Sequence, residues 1–169
     1  MKHTVVALVE NHPGVLNRTA NLFRRRGFNI DSLTVGRTDQ PRVSRMTIVV
    51  DGANTVVEQV VKQLYKLVDV LKVSDVSDDS VVARELALIK VSATASTRGE
   101  IMQIADIYRA KIVDVAQDSL MVEITGGEEK IESIVQLLRR FGIKEMVRTG
   151  RVAMVRGASG VTKLNNGED

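Results

Sequence analysis

The residues of this chain best suited to chemistry are gathered in one turn, Asn11-His12-Pro13-Gly14-Val15-Leu16. Pro13 fixes the backbone and Gly14 carries no Cβ. A helix that begins here points unpaired N–H groups and the positive end of its dipole outward. Such a place suits a carboxylate. Asn11 can accept from an ammonium group or donate to a carboxylate, and Val15 and Leu16 offer apolar contact to a small side chain. The chemistry on offer is binding. The same residues also serve a plain Pro-Gly turn in which Asn11 caps the helix, and the residue types alone leave both readings open.

For catalysis the inventory is thin. With no Cys there is no thiolate nucleophile, no disulfide framework and no Cys-based zinc site. Two histidines, His3 and His12, leave little for an imidazole metal cluster, so no metal site is expected. His12 has no Ser or Cys elbow around it. Asp78-Asp79 falls in a polar stretch and Glu128-Glu129 at a helix start, where solvation and the helix dipole account for the carboxylates. The run from Gly157 to Lys163 lacks the Gly-Lys-Ser/Thr of a phosphate loop. Asn17-Arg18-Thr19 has the order of a glycosylation sequon but lies within a helical pattern.

The elements that position the turn follow from periodicity. The apolar run Val5 to Val9 reads as a central strand covered on both faces. After the turn, Leu16, Ala20 and Phe23, with Val15, Thr19 and Leu22 beside them, follow helical spacing until Gly27, with Arg24-Arg25-Arg26 in the last turn. Phe28 to Val35 and the run Met46, Ile48, Val50 form a hairpin around Asp39-Gln40-Pro41. Val56, Val57, Val60, Val61, Leu64 and Tyr65 make a second helix, and Val68, Val70, Leu71 and Val73 a closing strand. Past the acidic stretch Ser74 to Ser80 the pattern restarts. Leu86 to Val91 is a strand, Thr97 with Glu100 has capping-box spacing ahead of a helix, and two further strands, a helix from Ile131 to Phe141 and a strand from Met146 complete it.

The chain is therefore a repeat with a period of about eighty residues. It is an α+β protein of two ferredoxin-like βαββαβ units, each an antiparallel sheet with both helices on one face. The expected organisation is an N-terminal domain over 1–76, a linker over 77–83, a C-terminal domain over 84–157 and a flexible tail over 158–169. Strands such as Val5 to Val9 are too apolar for an open sheet face to meet water, which predicts side-by-side or face-to-face association.

Composition narrows the class further. The 169 residues are 44% hydrophobic and 27% charged, with a net charge of +3, which suits a protein with a buried core. There is no clustered basic face, and five aromatics without a Trp give no stacking platform for nucleic acid. No apolar run reaches the roughly 18 residues of a membrane helix. Met1-Lys2-His3 leads into a strand and not a signal segment, so a soluble, cytoplasmic protein is expected.

The turn, with further segments, carries a family resemblance. The N-terminal unit resembles an ACT domain, a ferredoxin-like module that binds amino acids between two copies. Arg26 to Val35, Ser44 to Ile48, Gln63 to Val70, Arg84 to Val91, Tyr108 to Val115 and Arg148 to Ala153 closely resemble the small regulatory subunit of acetolactate synthase (acetohydroxyacid synthase). The resemblance spans roughly Met1 to Gly157. It implies a chain with no active site, paired with a large catalytic subunit that carries thiamine diphosphate, a divalent metal (Mg) and FAD. It implies stimulation of that subunit, and feedback inhibition by valine or another branched-chain amino acid. By position, Asn11, Gly14, Val15 and Leu16, with His12 and Pro13 in the same turn, would hold the effector from one chain of a homodimer. Asn29 and Ile30 would complete the site from its mate. The corresponding turn of the second half, Ala95 to Gly99, has no Pro-Gly in register with an Asn, so no equivalent site is expected there. The alternative is a free-standing amino-acid sensor acting on another partner.

Overall fold

A computed structural model describes residues 1–157 of the chain, so the segment 158–169 lies outside the described residues. The first elements are β1 (Lys2–Glu10), α1 (Val15–Arg26), β2 (Ile30–Arg37), β3 (Val43–Asp51), α2 (Asn54–Leu64) and β4 (Val70–Asp75). They are followed by β5 (Val81–Ser92), α3 (Arg98–Ile107), β6 (Lys111–Val115), β7 (Ser119–Gly126), α4 (Glu128–Arg139), β8 (Ile143–Arg148) and β9 (Val152–Val155). The sheet orders are β2-β3-β1-β4 and β6-β7-β5-β8, with β9 pairing β5. The eight main strands pair antiparallel within each sheet. Each half is the expected split βαββαβ sandwich.

Packing groups the chain into two compact units, Met1–Val82 together with the segment from Arg151, and Ala83–Gly150. In the first, alternate residues of β1 and β3 face the helices. Val5, Ala7, Val9, Met46, Ile48 and Val50 close over Val15, Leu22 and Phe23 of α1 and Val57, Val60 and Leu64 of α2. Each of these side chains larger than Ala contributes about 1.5–3 kcal/mol when fully buried, relative to exposure.

The buried stripe of α1 is Val15, Thr19, Leu22 and Phe23. Of the two adjacent apolar stripes in the sequence, Val15, Thr19 and Leu22 face inward with Phe23, whereas Leu16 and Ala20 are exposed, Leu16 at 46%. The inward turn at Thr19 is tolerated because its hydroxyl donates to the Val15 carbonyl at 3.0 Å, so no polar group is left unpaired. Gly27, at φ 69°, ends the helix, and the Phe28 N–H reaches back to the Phe23 carbonyl.

The open face of the first sheet is covered by its own chain. Val6, Leu8 and Val43 pack with Val76, Val81 and Val155. Arg45 donates to the Ala153 carbonyl at 2.7 Å, Arg151 Nη1 to Thr4 Oγ1 at 2.9 Å, and the Arg151 N–H to Ser32 Oγ at 3.1 Å. The association expected from these apolar residues is thus met in part by β9 and the start of β5. Residues 77–82, within the expected linker, and 151–157, within the expected C-terminal domain, group with the first unit for this reason.

The second unit repeats the packing with Ile89, Val91, Val122 and Ile124 against Ile101, Ile104, Ile131, Ile134 and Leu138. Its expected capping box does not form. Thr97 Oγ1 accepts the Thr94 N–H at 2.8 Å, and Glu100 pairs with Arg140.

Candidate functional site

Strand β1 ends at Glu10, whose N–H donates to the Asp69 carbonyl at 2.8 Å. The next N–H, of Asn11, donates to the Arg42 carbonyl at 2.8 Å, and the Asn11 amide donates to the Pro41 carbonyl at 3.0 Å. Asn11 is therefore bound to the β2–β3 hairpin and does not cap α1. The cap position is Gly14, at φ 91° and ψ −14°, with no side-chain cap bond. The first-turn N–H groups of the helix are left for water or a ligand.

Arg18, one helical turn on, has its backbone N–H on the Gly14 carbonyl at 2.9 Å. Its Nη1 lies 3.1 Å from where a Cβ on Gly14 would stand. The guanidinium is held there by Asp69, whose Oδ2 accepts from Arg18 Nε at 2.5 Å. Asp69 is only 4% exposed. Arg18 also lines an open groove with Asn21, Arg24 and Arg25, so this side of the turn is cationic. A helix N-terminus beside a fixed guanidinium is electrostatically complementary to a carboxylate.

His12 joins the same cluster. Its Nδ1 is 3.1 Å from the Pro13 carbonyl, which can only accept, so Nδ1 carries a proton. Its Nε2 lies 3.0 Å from Glu10 Oε2 and 2.9 Å from Asp69 Oδ1. The bond to the Pro13 carbonyl, then the Glu10 carboxylate, hold the His12 pKa above its ordinary value. The Asp69 carboxyl is held below the usual range, chiefly by the Arg18 donation, which outweighs the opposing effect of burial.

The predicted site residues fall into two places. Asn11, His12, Pro13, Gly14 and Leu16 are exposed around the turn, and Val15 is buried beneath it. Asn29, exposed, and Ile30, half-buried, begin β2. Ile30 pairs with Val50, and Val50 with His3. From His3 to Glu10 is about 23 Å at ~3.3 Å per residue. Within one chain, then, Asn29 and Ile30 sit at the opposite end of the sheet from the turn. One small amino acid cannot touch both.

Glu10, Arg18 and Asp69 were missed as site residues. Their signals were present but faint: Arg18 four residues after Gly14, and Asp69 as a lone charge inside Leu67-Val68-Asp69-Val70-Leu71. In the second unit the equivalent turn is closed on itself. Thr94, Ser96 and Thr97 share hydroxyl contacts of 2.9 and 3.1 Å, and Arg98 donates to the Ala116 and Gln117 carbonyls.

Comparison with known proteins identifies the family of both halves of the chain. Residues 6–72 match the family model described as an AHAS small subunit-like ACT domain, and residues 84–157 that of the small subunit of acetolactate synthase. A probable acetolactate synthase small subunit of Archaeoglobus fulgidus is 59% identical over 93% of this chain and 98% of that protein. The acetolactate synthase small subunit of Mycolicibacterium smegmatis is 50% identical over 94% of each. The crystal structure of the acetolactate synthase small subunit from Thermotoga maritima superposes with a TM-score of 0.86 at 44% identity, covering 94% of this chain and 99% of that one.

Proposed function

The chain belongs to the acetolactate synthase small-subunit family, and on that footing we propose that it is the regulatory subunit that stimulates a catalytic large subunit and makes it sensitive to valine. The large subunit supplies thiamine diphosphate, Mg and FAD and condenses pyruvate with a second 2-keto acid in branched-chain amino acid biosynthesis. This chain supplies the sensor. The effector's carboxylate sits against the uncapped start of α1, near Arg18, and its side chain meets the exposed Leu16.

The family match over residues 6–72 and 84–157 carries the reading, and the separation of the turn from Asn29 and Ile30 supports a site shared between two copies. β1 and β2 are both antiparallel to β3, so they run parallel to one another. Strand β2 is the sheet edge, with Val35 41% exposed. If two copies pair antiparallel through β2, the Asn29 end of one strand comes to the end of the partner sheet that carries the turn. A homodimer then assembles two equivalent sites from halves that a single chain keeps apart.

The test is calorimetric titration of the pure chain with valine, followed by assays with a catalytic large subunit. The expected results are that valine binds, that the chain alone consumes no pyruvate, and that adding it raises the large subunit's activity in a valine-sensitive way. Pyruvate consumption by the chain alone, or no effect on the large subunit, refutes the proposal.

A further inference from the structure

Beside the effector turn, three potential metal ligands converge from two stretches of chain: Glu10 at the end of β1 with His12 two residues on in the turn, and Asp69 ahead of β4. Their ligand atoms all lie within 4.8 Å of one another. We propose that Glu10, His12 and Asp69 bind a divalent cation of borderline softness, Zn²⁺ in the first instance.

The hydrogen-bond geometry points this way. His12 Nε2 faces two carboxylate oxygens at 3.0 and 2.9 Å, yet one N–H can point straight at only one of them. A cation between the three serves all of them at once. Zn–N and Zn–O bonds of about 2.0–2.2 Å in a tetrahedron place ligand atoms roughly 3.4 Å apart, so the two His12 contacts need to lengthen by about half an ångström, and the two carboxylates, no more than 4.8 Å apart, adjust around the ion. Glu10 and His12 are exposed and can move, while buried Asp69 stays fixed.

The surroundings are those of a metal site. The His12 Nδ1–H points to the Pro13 carbonyl, the outer partner that orients a ligating imidazole and leaves its Nε2 lone pair for the metal. Arg18 holds Asp69 Oδ2 and so turns Oδ1 toward the cluster. Two carboxylates against one guanidinium leave net negative charge for a dication. One imidazole with two carboxylates favours Zn²⁺ over Mg²⁺, which demands an octahedron of oxygens. Since Asp69 lies far along the chain from Glu10 and His12, binding ties two distant stretches together and stabilises the folded chain.

The experiment uses the full chain without a polyhistidine tag, stripped with chelator and titrated with ZnCl₂ by calorimetry, with Co²⁺ as an optical reporter of the same site. One Zn²⁺ per chain is expected, together with a rise in melting temperature and a tetrahedral Co²⁺ spectrum. His12→Ala and Glu10→Gln should each weaken binding more than about tenfold and abolish the melting shift. Circular dichroism verifies that these surface variants are folded. No Zn²⁺ binding by the native chain overturns the proposal, and so does equal binding by the native chain and His12→Ala. Valine titration of the same apo samples reports on the effector site separately.

Discussion

In the proposed site, Gly14 is the residue on which effector recognition would turn. Its φ of 91° is one that an L side chain adopts only at a cost of about 1–2 kcal/mol, and an added Cβ would stand 3.1 Å from Arg18 Nη1. In Gly14→Asp the new carboxylate meets both the guanidinium and the helix start, the two features that would otherwise receive the effector's carboxylate. The chain should fold with slightly reduced stability and lose valine binding by calorimetry. Unchanged valine affinity would place the site elsewhere. His3 poses a different residue-scale question. It is 4% exposed, and both its ring nitrogens lack a hydrogen-bond partner among the described residues. Burying an unpaired polar group is destabilising, so His3→Leu should raise stability by about 1 kcal/mol or more, read as a higher urea midpoint at unchanged slope. A lower midpoint would mean that the imidazole is satisfied in solution.

Among the elements, β9 has the clearest energetic role. Ala153 is 5% exposed, its carbonyl accepts from Arg45, and Val155 joins the cluster over Val6 and Leu8. An Ala153→Asp carboxylate there would be desolvated, at a cost of about 2–4 kcal/mol. Thermal unfolding should shift down, with amide exchange quickening in β1 and β3 and not in β7. Equal loss of protection in β7 would contradict this. No sequence pattern announced that role: β9 returns to the first unit after an entire second unit has intervened, and periodicity reports faces, not long-range partners. The order of the eight main strands and four helices was legible because each apolar run carries its own period. The phase of α1 was not. Two adjacent stripes competed, and the choice fell to Thr19, whose self-satisfied hydroxyl let a polar residue face inward. The turn itself was legible from Pro13-Gly14, but the Arg18–Asp69 pair beside it joins residues about fifty positions apart, a contact that only the fold creates.

At the scale of the whole molecule the issue is which chain owns which half of the site. The register places Asn29 and the turn at opposite ends of one sheet, so a ligand touching both must lie between two copies. Complementation tests this. Homodimers of Gly14→Asp and of Asn29→His should each lose both sites, since each site in a symmetric dimer contains one turn and one Asn29. In a mixed dimer of one Gly14→Asp chain and one Asn29→His chain, both lesions fall into a single site. The other site keeps an intact turn and an intact Asn29. Purified mixed dimers carrying two different tags should therefore bind one valine per dimer, at the native affinity. If turn and Asn29 served the ligand from the same chain, every site would carry one lesion and none would recover. Folded mixed dimers that bind no valine would thus refute the shared site.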